Sequence, residues 1–124
     1  MKTLNELTYL IRGAAFKVHS ALGPGLLESA YEACLVHELK KLGLTVQQQV
    51  PLPLIYQDVR LSVGYRVDLL VEGAVILELK SVRELTDVDT AQVLTYMRLS
   101  KTKVGLLMNF NVKNMQHGIK RYIL

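Results

Sequence analysis

The chain has 124 residues, half of them hydrophobic and 21% charged, which suits one globular domain with an ordinary core and excludes a disordered or fibrous chain. A formal net charge of +4 permits a nucleic-acid partner without demanding one, because the basic residues are scattered. A single cysteine, Cys34, excludes an internal disulfide and a cysteine zinc cluster. No apolar run approaches the ~18 residues of a membrane span, and the first residues lack a signal-peptide core. The expected compartment is the cytoplasm.

Thr3 and Glu6 have the spacing of a capping box, and apolar residues then recur at three and four positions from Leu4 to Leu22. This predicts an amphipathic helix, with His19 near its end in a structural role that suits the helix dipole. Gly23-Pro24-Gly25 stops it. A second helix is predicted from about Leu26 to Leu42, with Tyr31, Cys34, Leu35 and Leu39 on its apolar side and Gly43 as its stop. Glu28 falls in its first turn, three residues before Tyr31 and on the same face.

From Thr45 to Ile55 the composition turns to strand formers, but Pro51 and Pro53 predict an edge strand or one broken partway. A turn at Tyr56-Gln57-Asp58 leads to a strand from about Val59 to Val71, and Glu72-Gly73 turns the chain into Ala74 to Lys80. Thr86, Asp87 or Asp89 can cap a helix from about Val88 to Leu99. Val104 to Phe110 then reads as a buried strand, parallel to the third through a right-handed crossover. The residues after Asn111 stay open between a short strand and a turn of helix. The expectation is one α/β domain over residues 1–124, order α-α-β-β-β-α-β. Its mixed four-stranded sheet is an antiparallel meander plus one strand parallel to the third.

Within this frame, the stretch Gly64–Lys80 carries charge where burial is expected: Asp68 in one strand, Glu78 and Lys80 in the next. Charged side chains are seldom buried unless paired or bound to a metal. In an antiparallel hairpin the numbers of paired residues have a constant sum. A two-residue loop sets Asp68 opposite Leu77 and separates the acids onto two faces. An odd loop or a bulge sets Asp68 opposite Glu78, where two carboxylates repel unless a cation lies between them. The expectation is therefore an odd register and a divalent ion, Mg²⁺ or Mn²⁺, held by Asp68, Glu78 and the Leu79 carbonyl. Lys80, on the face of Glu78, is placed to orient a water or to stabilise charge on a phosphate.

The Asp…Glu-x-Lys strand pair after a helix, followed by a helix bearing Gln92 and Tyr96, resembles the PD-(D/E)xK nuclease superfamily. Gly25-Leu-Leu-Glu28-Ser-Ala-Tyr31 is similar to the signature of the small GxxExxY protein family, and the likeness runs on to VGLLMNFNV. The resemblance implies a restriction-endonuclease-like core and metal-dependent cleavage of phosphodiesters in DNA or RNA. Asp68 and Glu78 would be its metal residues, with Lys80 assisting, Glu28 joining from the helix, and Gln92 and Tyr96 matching a Q-x-x-x-Y element. Val67 stands where the proline of the superfamily's name would be. The alternatives are a nucleic-acid-binding or regulatory protein of the same fold without turnover, and a purely structural module. A chain this small offers little surface for grasping a duplex, which makes a homodimer the expected assembly.

Overall fold

A computed structural model describes residues 2–124. The first helix, α1 (Leu4–Leu22), starts where Thr3 Oγ1 accepts the Glu6 amide at 3.1 Å. It ends at Gly23, whose left-handed φ of 67° brings its amide to the His19 carbonyl. His19 is buried, and its Nε2 lies 2.7 Å from the Val112 carbonyl; that oxygen can only accept, so this nitrogen carries the proton.

Helix α2 (Glu28–Lys41) begins two residues later than the composition predicts. The Leu26 amide donates to the Tyr31 hydroxyl at 3.1 Å, and that hydroxyl donates to the Gly23 carbonyl at 2.6 Å. Tyr31 thus ties the Gly23-Pro24-Gly25 link to the helix that follows it. Its ring is fully buried and stacks on Phe110, with centroids 4.5 Å apart.

Five strands among the described residues, β1 (Val46–Tyr56), β2 (Val59–Val71), β3 (Val75–Lys80), β4 (Val104–Asn109) and β5 (Ile119–Ile123), lie in that order in one sheet. All neighbours are antiparallel except β3 and β4, which are parallel and joined through helix α3 (Asp87–Ser100). The expected four-stranded sheet is corrected by β5. Lys120 and Arg121 there are exposed and only Ile119 is buried, so no periodicity announced a strand. Helix α3 starts with a full capping box in which Thr86 and Asp89 exchange hydrogen bonds.

Helices α1 and α2 pack on one face of the sheet, and α3 covers the other. A Cβ on Gly105 would meet Met97 Sδ at 2.8 Å and Ile76 Cγ1 at 3.1 Å, so α3 packs closely on β4 there. Strand β1 is an edge strand, as its prolines predict. Its ladder with β2 slips where Ser62, Val63 and Gly64 together oppose Pro53, and Gly64 supplies the φ of 78°.

The loop between β2 and β3 has the odd length that the charges demanded. Val71 pairs with Val75 across Glu72, Gly73 and Ala74, and the ladder continues through Leu70↔Ile76 to Leu69↔Leu77. There it stops, and the β1–β2 ribbon diverges from β3. Side-chain alternation also breaks at that point. Leu69 and Val71 pack beneath α1 and α2, whereas Val67 packs with Val93, Tyr96 and Met97 of α3. Across the ladder Val46 and Val50 are likewise divided between the two cores, with Gln49, at φ 50°, between them.

Candidate metal centre

The divergence of β2 from β3 falls at the constant-sum partners Asp68 and Glu78. Backbone pairing does not bridge them; their carboxylates do. The Asp68 amide donates to Glu78 Oε2 at 2.8 Å, and the Leu79 amide donates to Asp68 Oδ2 at 2.8 Å. Each carboxylate thereby satisfies a backbone amide of the opposite strand. Asp68 Oδ1 has a 3.4 Å contact from the Gln49 amide.

Glu78 is only 4% exposed. Its carboxyl is pushed up to about 8, first by burial and then by the Asp68 charge, against the pull of the Asp68 amide and Lys80. In the ion-free protein Glu78 therefore holds a proton at neutral pH. Burial first, and the Asp68 charge second, outweigh the nearby Lys80 charge at this carboxyl. Among the described residues, no group of three or more His, Cys, Asp or Glu is arranged to enclose an ion. Two hard carboxylate donors without a third protein carboxylate suit an ion that keeps much of its water, which is the habit of Mg²⁺ more than of Ca²⁺ or Zn²⁺. The donor set fits the expected ion.

Lys80 ends β3 on the α3 side of the sheet. Its Nζ donates to Gln92 Oε1 at 3.3 Å and lies 3.8 Å from Asp89 Oδ1. Gln92 Nε2 in turn donates to the Tyr96 hydroxyl at 3.3 Å. The four-residue spacing of Gln92 and Tyr96 puts both on one face of α3, and the row Lys80–Gln92–Tyr96 is continuous. Burial, followed by the nearby Glu78 charge, raises the Tyr96 hydroxyl and keeps it a donor.

Glu28 opens α2 and is exposed. Partial loss of water raises its carboxyl, Lys80 opposes this, and the charges of Asp68, Asp89 and Glu32 add to it. Glu28 therefore shares the electrostatic field of the centre without joining the Asp68–Glu78 hydrogen bonds.

Four contributors were missed in the sequence. Asp89 was read only as a cap; it is one, but its second oxygen faces Lys80. Its position three residues before Gln92, on the same helical face, was the available signal. Gln49 and Glu32 meet through a 2.9 Å bond that no linear spacing could reveal. Tyr65, whose ring lies 6.2 Å from that of Tyr96, is brought there by the slip at Gly64.

A mixed sheet between helical layers, with an acid pair where two of its strands part and a lysine two residues beyond, defines a restriction-endonuclease-like core. The family model of the PD-(D/E)XK nuclease superfamily matches residues 5–122, and the chain belongs to that superfamily. Its members are generally nucleases, typically dependent on divalent metals. No curated protein and no solved structure matches the chain. No helix among the described residues is long and apolar enough to cross a membrane.

Proposed function

We propose that the protein is a metal-dependent nuclease of the GxxExxY type, acting as a single domain on phosphodiesters of DNA or RNA. The observation that carries this reading is the reciprocal bonding of Asp68 and Glu78 beside a positioned Lys80. Asp68 and Glu78 hold Mg²⁺ or Mn²⁺. Bound there, the cation supplies charge stabilisation for a phosphoryl group and acidifies a water molecule.

The protein's own residues supply the rest. The Lys80 ammonium, aimed by Gln92 and Asp89, stabilises negative charge developing on the phosphate. Gln92 and Tyr96 keep that side chain in one place, which limits the entropy lost as substrate arrives. Glu28, exposed and with a raised carboxyl, is suited to exchange a proton with solvent. The partner is nucleic acid, the compartment is the cytoplasm, and a homodimer provides the surface that a 14.0 kDa chain lacks.

The test is incubation with labelled single-stranded, double-stranded and branched DNA and RNA, with Mg²⁺ or Mn²⁺ and with EDTA. Cleavage that requires the metal and disappears in Lys80→Ala is expected. Metal-independent cleavage, or equal cleavage by Lys80→Ala, contradicts the assignment. Binding of nucleic acid without cleavage of any substrate would favour a binding protein of the same fold.

A further inference from the structure

The irregularity opposite Asp68 has a chemical use. Gln49 is a non-glycine residue at φ 50° inside a strand whose pairing is regular on both sides, Gln48↔Leu69 and Val50↔Val67. Left-handed backbone in such a residue is unfavourable and persists where its surroundings hold it. Here the surroundings are the candidate centre. The Gln49 Nε2 lies 2.9 Å from Glu32 Oε1 and 3.4 Å from Asp68 Oδ1. Glu32 is anchored from its other side, since its Oε2 accepts from Gln48 Nε2 at 3.2 Å.

One side-chain amide of β1 thus bridges a carboxylate of α2 and a carboxylate of β2. Asp68 Oδ2 is committed to the Leu79 amide, so Oδ1 is the oxygen left to face a ligand. Its direction depends on what touches it. Gln49 is uncharged, so it orients this oxygen without competing for the cation as a lysine would.

We propose that Gln49 is a positioning residue for the metal centre: held by Glu32 and by its own left-handed backbone, it fixes the direction of Asp68 Oδ1. The proposal rests on the reading of Asp68 and Glu78 as cation ligands. Outer contacts of this kind commonly change metal affinity about 10- to 100-fold.

Gln49→Asn tests it, because Asn tolerates left-handed backbone but is one methylene too short to reach both carboxylates. The measurements are Mn²⁺ affinity by calorimetry and melting temperature of the ion-free protein, on wild type, Gln49→Asn, Gln49→Gly and Gln48→Ala. The expectation is an affinity about tenfold weaker in both Gln49 variants, with melting temperature nearly unchanged in Gln49→Asn and affinity unchanged in Gln48→Ala. Lower melting with unchanged affinity would show a purely structural residue and overturn the proposal. An equal affinity loss in Gln48→Ala would also overturn it, by moving the effect to Glu32. Gln49→Gly keeps the test open should the Asn variant fail to fold, because glycine takes φ 50° without strain. Absence of Mn²⁺ binding by the wild-type chain would remove the cation reading itself. Wild-type binding with unaltered Gln49 variants would overturn this proposal alone.

Discussion

Asp68 and Glu78 hold their two strands together with side chains at the one point where the backbone ladder lets go. The Asp68 amide binds the Glu78 carboxylate, and the Leu79 amide binds the Asp68 carboxylate. Replacing both acids with alanine therefore removes two roles together, so the substitution that isolates charge is Glu78→Gln. It keeps an oxygen for the Asp68 amide and abolishes the second negative charge. The expected outcome is loss of the melting-temperature rise that Mn²⁺ gives the wild-type protein, with the ion-free protein no less stable at pH 8. Calorimetry and thermal melting with and without Mn²⁺ check it.

The raised Glu78 carboxyl fixes the sign of a pH dependence. The ordinary value is 4.5 and the folded value about 8. Below the ordinary value both states are protonated and Glu78 contributes no penalty. Between the two values the unfolded chain releases a proton that the folded one keeps, so stability falls as pH rises, by up to about 1.4 kcal/mol per pH unit. Above about 8 the loss is complete. Ion-free wild type is expected to lose stability across this window relative to Glu78→Gln, measured by denaturant melts at several pH values.

The same proton must leave when a cation binds. At pH 7, below the folded value of about 8, Mg²⁺ or Mn²⁺ binding is expected to release close to one proton. Calorimetry in buffers of different ionisation enthalpy measures this directly. Release should fade above pH 8 and vanish in Glu78→Gln.

Lys80 and Asp89 separate position from charge. Lys80→Ala is expected to lower cleavage by about 10²–10³-fold while leaving Mn²⁺ affinity within a few-fold of wild type. Asp89→Asn can retain the cap on Thr86 but releases Lys80 from its 3.8 Å ion pair. A smaller loss of cleavage with a normal melting temperature is the expected result. A large fall in melting would mean that the cap was broken instead.

Tyr31 gives a stability prediction independent of any reaction. Its hydroxyl accepts from the Leu26 amide and donates to the Gly23 carbonyl, so Tyr31→Phe leaves both without that partner. A loss of about 1–3 kcal/mol is expected from urea melts, with the stacking on Phe110 retained. The tyrosine of the Gly25–Tyr31 signature thus acts here on the link between two helices.

Much of the fold was legible because the helices carry strong periodicity, and glycine and proline mark their ends. The odd register of the central hairpin was legible for a different reason. Two acids and a lysine in apolar strands permit few pairings, and only one of them brings the acids together. The strand at Ile119–Ile123 stayed open because Lys120 and Arg121 occupy its exposed face and one buried Ile119 makes no pattern. The tie through Gln49 was not legible at all. A positive φ in the middle of a strand leaves no mark when the residue is glutamine, and its partner Glu32 lies on a separate helix. Sequence spacing reveals neighbours within an element; contacts across elements appear only once the chain has folded.

The outer edges of the sheet carry a consequence for assembly. On β1, Pro51 pairs with Arg66 and Pro53 follows two residues later, and neither has an amide hydrogen to give. On the opposite side β5 is short and presents exposed Lys120 and Arg121. Both rims are thus poor templates for a further strand, one because of its prolines and the other because like charges would meet. Growth of the sheet from copy to copy, and the fibres or precipitates that follow from it, is discouraged at both ends. A dimer of this chain would have to form through its helices or the tip of the ribbon, and replacing both prolines with valine should make the protein more prone to aggregate without touching its centre.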